Sequence, residues 1–544
     1  MAKLSQFKIM GIIQKIGIAL FILGLAVFIA TPTLSEFELT PAIVQKEIQK
    51  PYHLQAISEA AKPLFHKIYL NNIEFINDLN TALSAAKSQQ DQKAKIENWK
   101  ATALPEGVSE WDFRLGDLNS IRFELVKASS KGFLATHLLY MMMFSFGFGI
   151  VGALLYILPK RYKPAGIQNN GIFRSSMHAR GWLGILTGSF LIIFYIFLYW
   201  FPEYLTSWVQ IVDPLSRRLS GNGASQWFLY GVLYTICVII MGVRMLLKYR
   251  HNRYQQIRTL SVIFFQTTFA FLIPEILVRL NQPYFDFKNM WPLKYDFFFE
   301  WHLDKLLKNG TLGLFMLIWG MALFLIGVPV FTYFFGKRWY CSWVCGCGGL
   351  AETLGDPYRQ LSDKSLKTWK LERYLVHGVL VFAVLMTLLV LYTYFTGASN
   401  ILFISSYDVR VLYGFLIGSA FSGVVGTGFY PLMGNRVWCR FGCPLAAYLG
   451  LVQKYKSRFR ITVNGGQCIS CGNCSTYCEM GIDVRSYAQK GQDIIRSSCV
   501  GCGVCAAVCP RGVLRLENGG DVDERAQQER VIHIRLDDVR ILNS

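Results

Sequence analysis

The sequence predicts a mainly α, polytopic membrane protein of about eight spans that ends in a small α+β module. Three observations carry that prediction. Apolar residues are gathered into eight long blocks, 13 of the 14 cysteines fall after residue 340, and the chain closes with two cysteine runs of identical spacing.

The spans come first. Hydrophobic residues make up 53% of the 544-residue chain, and a helical crossing of a bilayer needs about 20 of them in sequence. Stretches near 9–30, 134–158, 181–201, 226–247, 259–280, 311–335, 374–396 and 410–432 qualify. Buried helices of a water-soluble domain would be shorter. The first block could be read as a cleaved signal sequence, but it is long and no small-x-small site follows directly, so a retained anchor is expected.

Lysine and arginine set the orientation, because short loops rich in them stay on the cytoplasmic side. One face carries Lys3 and Lys8, then Lys160, Arg161, Lys163, Arg174 and Arg180, then Lys248, Arg250, Arg253 and Arg258, then a basic run from Lys337 to Arg373. The opposite loops are poorer, with Arg217, Arg218, Lys288, Lys294, Lys305 and Lys308. Eight spans then put both termini in the cytoplasm of a cell inner membrane and residues 31–133 outside it. That outer segment has 13 acidic and 12 basic residues, so the net charge of +20 is cytoplasmic. Attraction to anionic lipid accounts for the larger share of the excess; a docking field for an acidic electron-transfer partner is the sharper reading. Nucleic acid has no support beyond charge.

The outer segment 31–133 lacks the alternation of strands and reads as a small helical domain, either a docking surface or a spacer. It holds no cysteine and no Cys-x-x-Cys-His for haem attachment. In the fifth span Glu275 is a candidate quinone or proton site, since an acid within a span is costly unless paired. Arg279, one turn later, supplies a plain structural partner. The loop 281–310 is rich in aromatics, which suits an interfacial belt or a quinone headgroup site. His137 and His377 sit at spans with no matching spacing, so haem is disfavoured. Cys237 reads as a small packing residue of the fourth span.

An internal repeat follows spans six and eight. The chain reads Gly336-Lys337-Arg338-Trp339-Tyr340-Cys341-x3-Cys345-Gly346 and then Gly434-Asn435-Arg436-Val437-Trp438-Cys439-x3-Cys443-Pro444. Cysteines four residues apart can share one face of a helical turn, so Cys341, Cys345, Cys439 and Cys443 are expected to converge. They could form a further metal centre, a reversible dithiol or packed reduced thiols. Cys347 breaks the repeat and has no counterpart in the second copy. The small residues of the eighth span, Gly414, Gly418, Ser419, Ala420, Ser422, Gly423, Gly426 and Gly428, predict close packing that draws the two copies together.

The two C-terminal runs are Cys468-x2-Cys471-x2-Cys474-x3-Cys478 and Cys499-x2-Cys502-x2-Cys505-x3-Cys509-Pro510. This spacing is that of paired 4Fe-4S clusters, in which the last thiolate of each run serves the other's cluster. Cluster one is thereby assigned to Cys468, Cys471, Cys474 and Cys509, and cluster two to Cys499, Cys502, Cys505 and Cys478. Zinc would need only four sulfurs per ion and no third cysteine followed by x3-Cys. In the first run Glu479 stands where proline is usual, a change expected to alter the turn and remove no ligand. The amides of Ile469, Ser470, Gly472, Gly501 and Gly503 lie where donors to the cluster sulfurs are expected. Beyond Arg511 the alternation suggests a short edge strand and then a partner-binding or flexible end.

Residues 311–515, with paired Cys-x3-Cys motifs at span ends and a two-cluster ferredoxin-like module behind them, resemble the NosR/NapH family of membrane polyferredoxins, to which the maturation protein CcoG is also similar. Gly346 in place of proline in the first motif is a departure. The resemblance implies electron transfer at the cytoplasmic membrane between a cytoplasmic donor or a quinone pool and a respiratory or assembly partner protein. The domain plan expected is an anchor over 1–30, the outer domain over 31–133, spans two to eight over 134–455, the ferredoxin-like domain over 456–515 and a tail over 516–544. Two alternatives to a relay stand beside it: a quinol oxidoreductase with its own substrate site, and a maturation or regulatory factor that handles metal or thiols.

Overall fold

The computed structural model describes residues 2–97, 115, 118–167, 181–398, 400–401 and 404–518, with side chains described from Met10 and not for 93–97. Arg174, Arg180, the side chains of Lys3 and Lys8, residues 98–114 of the outer segment and the tail beyond Asn518 therefore lie outside the described residues. Eight helices are long and apolar enough to cross a membrane: Met10–Leu34, Leu138–Tyr162, Trp182–Trp200, Gln226–Lys248, Arg253–Arg279, Gly310–Phe335, Leu366–Thr396 and Ser406–Gly428. Each falls on one of the eight apolar blocks. Many of their large apolar side chains, Ile22, Phe190, Leu325 and Leu385 among them, are exposed, as expected of surfaces solvated by lipid rather than water.

The chain divides into two compact units. The first comprises residues 1–160 and 193–236. Its opening helix runs against Phe148–Ile157 at very close range: a Cβ on Gly17 would meet the Gly152 carbonyl at 2.8 Å, and one on Gly24 would meet that of Ser145 at 2.6 Å. Small residues permit that approach. The outer segment folds as helices Pro41–Glu47, Pro51–Ala61, Asn72–Glu97 and Leu118–Ala128. It also carries a three-stranded antiparallel sheet in which Glu36–Glu38 lies between Ile68–Tyr69 and Ser130–Lys131. The sheet departs from the all-helical expectation. Strands of two or three residues are too short to show a period of two, so the sequence offered no signal for them. Phe37, Phe75, Leu79, Leu83 and Leu125 fill the core beneath, and two ion pairs close the unit, Arg122–Glu203 at 2.8 Å and Lys127–Asp213 at 3.3 Å.

The second unit comprises residues 161–192 and 237–544. The aromatic loop after the fifth span is folded inward: Phe285 and Phe297 sit in one apolar cluster with Met316, and Phe299 in another with Tyr413. Tyr284 and Trp301 remain exposed, at 50% and 55%. Small residues of the eighth span receive bulky neighbours: a Cβ on Gly418 would meet Tyr295 at 2.9 Å, and one on Gly426 would meet Trp438 at 3.0 Å. The C-terminal module pairs strand Arg460–Val463 antiparallel with Leu514–Glu517. Short helices Asn473–Thr476 and Val504–Ala507 carry the third cysteine of each run.

Candidate iron–sulfur site

The two copies of the repeat fold alike at their start. Gly336 and Gly434 both take a left-handed φ with extended ψ (67°, 179° and 92°, 172°) at the end of a helix. A side chain at either place would also collide, with Phe459 at 2.6 Å and with Ser362 at 2.2 Å. Each turn releases the chain into a short helical segment, Arg338–Cys341 and Trp438–Gly442, that carries the first thiol. The second thiol then caps a new helix: Cys345 precedes Gly346–Thr353 and Cys443 precedes Pro444–Lys456. The amides of Cys345 and Cys443 bond back to the carbonyls of Tyr340 (2.8 Å) and Trp438 (2.9 Å). Each pair thus spans a helix break rather than one face of a continuous turn, which corrects the expectation of a shared helical face. The missing proline explains itself here. Gly346 and Pro444 both occupy the first helical position, where proline is favoured and not required.

Cys341, Cys345, Cys439 and Cys443 line one cavity of about 260 Å³, together with Cys347, Tyr340, Trp438 and Leu445. Cys347, which has no counterpart in the second copy, also lines this cavity as a fifth thiol, although the residue is exposed. Burial pushes the Cys341 thiol up to about 12, and it raises Cys439 and Cys443 as well. Cys345 goes the other way, to about 6, held by a hydrogen bond from Cys347 and helped by the Gly348 amide and the charges of Lys288 and Arg436. Soft thiol donors gathered in an enclosed space fit a thiophilic metal or an iron–sulfur centre.

A second cavity, of about 370 Å³, is lined by Cys468, Cys471, Cys474 and Cys509, with Pro510, Arg485 and Ala488. Ser470 and Gly472 in the first run, and Gly501 and Gly503 in the second, hold left-handed φ between 56° and 79°. These turns fold each run back on itself. Cys505 lies within electrostatic reach of Cys502, Cys478 and Cys499, and of Cys474 as well.

The two groups differ in burial. In the first group Cys474 is buried, Cys468 and Cys509 are half-buried and Cys471 is exposed; in the second Cys499 and Cys505 are buried and Cys478 and Cys502 half-buried. The second run is clasped by the repeat and the fifth span. Ser342 donates to the Val500 carbonyl, Tyr254 to that of Gly501 and Gln255 to that of Cys502, each at 2.8 Å. Gln453 reaches the Cys499 carbonyl at 2.8 Å.

Between the repeat and this run lies a buried charge network that sequence reasoning did not anticipate. Glu479, fully buried, pairs with Arg359 at 2.7 Å and Arg436 at 3.0 Å. Glu352 pairs with Arg258 (2.6 Å), Arg359 (2.7 Å) and Arg436 (2.7 Å). Asp356 receives Lys248 (2.7 Å) and Arg244 (3.1 Å). Arg436 also donates to the Cys439 sulfur at 3.7 Å and to the Cys341 carbonyl at 3.2 Å. Burial alone would raise the Glu352 carboxyl, but the three arginines hold it well below the usual range, while burial raises Glu479. Glu352, Glu479 and Cys502 bring their donor atoms within 4.8 Å of one another. The arginines already occupy both carboxylates, so this trio reads as an ion-pair hub and not a metal site. The only hint in the sequence was Glu479 itself, in a position where proline was expected.

Of the other candidates, His377 shares a pocket with Cys439 of the repeat. Glu275 is half-buried in helix Ile273–Arg279. His137 stacks on Phe133 at 4.4 Å, and His377 lies 2.6 Å from the Arg373 carbonyl through Nδ1. Cys237 is half-buried.

Comparison with known proteins agrees with the thiol-bearing regions. A family model described as a 4Fe-4S binding domain matches twice, at residues 317–365 and 414–462, and so covers both copies of the repeat. One described as a 4Fe-4S dicluster domain matches residues 460–510. Two curated relatives are similar over 28% of the chain. "Putative electron transport protein YccM" of Escherichia coli (strain K12) is 29% identical over 163 residues, 44% of its length. The methylamine utilization ferredoxin-type protein MauN of Methylobacillus flagellatus is 28% identical over 155 residues, 51% of its length. The chain therefore spans about half the length of the curated relatives it matches. No solved structure matches. The matches give the thiol-bearing stretch from 317 to 510 ferredoxin-type 4Fe-4S domains, similar to one protein named for electron transport and to one named as ferredoxin-type.

Proposed function

We propose that the chain is a membrane-bound relay for single electrons, operating between a cytoplasmic donor or the quinone pool and a respiratory partner. Cys468, Cys471, Cys474 and Cys509 would hold one 4Fe-4S cluster and Cys499, Cys502, Cys505 and Cys478 the other. The observation that carries this is the cavity formed by three thiols of the first run with the last thiol of the second, the exchange that paired clusters require. Such clusters supply one-electron transfer with no bond made or broken.

The protein's own residues supply direction and tuning. The second run is bonded to the repeat through Ser342 and Val500, and Cys471 of the first is exposed, which favours an order from the repeat, through the second run's site, to an external partner at the first. Arg436 donates to the Cys439 sulfur, and a charge-assisted bond of this kind stabilises an anionic sulfur. A third centre at the repeat is favoured by the five thiols round one cavity. The Lys/Arg distribution supports a cytoplasmic face for all three sites, with residues 31–133 on the far side.

Iron analysis and EPR on the purified chain test the reading. About eight irons per chain fit two clusters, and about twelve fit a third at the repeat. Zinc with no reducible signal would sink it. Reduction of the clusters by an added quinol analogue would exclude a relay fed by a cytoplasmic donor and favour a quinol oxidoreductase, with Glu275 the first residue to examine.

A further inference from the structure

A cleft of about 560 Å³ opens where helix Leu366–Thr396 begins. Helix Pro444–Lys456, helix Val484–Lys490 and the strand-free segment 492–497 form its other walls. Five cations from four separate elements line it: Lys364, Arg373, Lys454, Lys490 and Arg496. Its one acid, Asp483, is engaged by the Ser475 hydroxyl at 2.7 Å. Among the described residues no carboxylate lies within ion-pairing distance of Arg373, Lys454, Lys490 or Arg496.

The arrangement of the two arginines is the informative part. Both guanidinium groups lie over the indole of Trp369, Arg496 at 4.8 Å and Arg373 at 5.7 Å from its centre, and Arg496 also lies 5.9 Å from the Tyr487 ring. One aromatic ring thus gathers two like charges that repel each other. Lys454 and Lys490 complement the C-terminal ends of their helices; Arg373 and Arg496 have no such role. Two planar forks held on a ring, with the exposed ammonium groups of Lys454 and Lys490 in the same cleft, match the recognition of phosphate oxygens. The cleft also sits at the first turn of a span-length helix, level with the end of an apolar surface.

We infer that this cleft binds a phosphate-bearing anion, drawn either from a phospholipid headgroup or from a soluble nucleotide. The wall at Ser497 is continuous with the run that begins at Cys499, so a ligand there would lie beside the buried thiol group.

The test uses the full chain in dodecyl maltoside, stripped of lipid. One arm measures equilibrium dialysis of radiolabelled ADP and FMN; the other measures retention of phosphatidylglycerol by native mass spectrometry. Saturable one-to-one binding in either arm is expected, weakened about tenfold or more in R373Q/R496Q, since both guanidinium forks would lose their charge-assisted bonds to the phosphate. Because Arg496 is partly packed, the exposed pair K454Q/K490Q is measured alongside, with unchanged iron content as the folding control; weakened binding is expected there too. Binding in neither arm, or equal binding by wild type and both variants, overturns the assignment.

Discussion

Arg436 and Glu479 are paired at 3.0 Å with both side chains excluded from solvent. One residue belongs to the second Cys-x3-Cys motif and the other directly follows the last cysteine of the first C-terminal run. The pair therefore fastens the repeat to the ferredoxin-type module, and its charges lie between two groups of thiols.

Breaking that pair from one side should be costly. Arg436→Gln leaves Glu352 and Glu479 with one cation fewer in a buried site, and loss of one partner of a buried pair costs about 3–5 kcal/mol. A clear fall in the apparent unfolding temperature of the detergent-solubilised protein is expected. Arg436→Lys should recover only part of it, because an ammonium cannot reach Glu352, Glu479 and Cys439 as one fork does. An unfolding temperature within error of wild type would show that the network contributes nothing.

Restoring the usual proline tests the same hub from the other side. Glu479→Pro removes the carboxylate from Arg359 and Arg436 and leaves both buried charges short of a partner. The C-terminal module should loosen, seen as faster proteolysis after residue 456 and faster loss of iron. Glu479→Gln, which keeps hydrogen bonding and removes only the charge, should lie between wild type and Glu479→Pro. Improved stability in Glu479→Pro would refute the structural account of this residue.

The thiol groups should be separable. Cys471→Ser should lower iron by about four atoms per chain and remove one ferredoxin-type EPR signal. Cys439→Ser should leave both of those signals in place and remove only what the repeat binds. Loss of all signals in Cys439→Ser, with the fold intact by circular dichroism, would mean that the repeat and the runs form one centre.

His302 gives a pH-dependent handle outside the thiol region. It is 5% exposed, accepts from the Lys294 ammonium at 2.5 Å, and burial with that neighbouring charge pushes it down to about 4. Below about pH 6.5 the unfolded chain binds this proton before the folded one does. Stability should therefore fall as pH drops from about 6.5 towards 4, and no further contribution from this residue is lost below that. His302→Gln should flatten that part of the profile. An unchanged slope would exclude His302 as its source.

Much of this was legible along the chain. Eight spans follow from apolar length alone, because a bilayer asks only for a sufficient run of apolar residues with internally bonded backbone. The two runs declare their chemistry because thiolate spacing is local. Local signals were silent where contacts are distant. The small sheet of the outer segment uses strands too short for a period, and Glu479 looks like a turn variant until Arg359 and Arg436 arrive from elsewhere in the sequence.

The sequence by itself thus determined the class of the protein, its spans, its thiol inventory and the repeat. Only the tertiary structure decided that Cys347 joins the repeat's four thiols at one cavity, that Cys471 is the exposed member of the two runs, and that a charge hub links the repeat to the C-terminal module. The reason is physical. Composition and spacing fix what a segment can do alone, whereas burial, ion pairing and the sharing of one cavity exist only once distant segments are packed together.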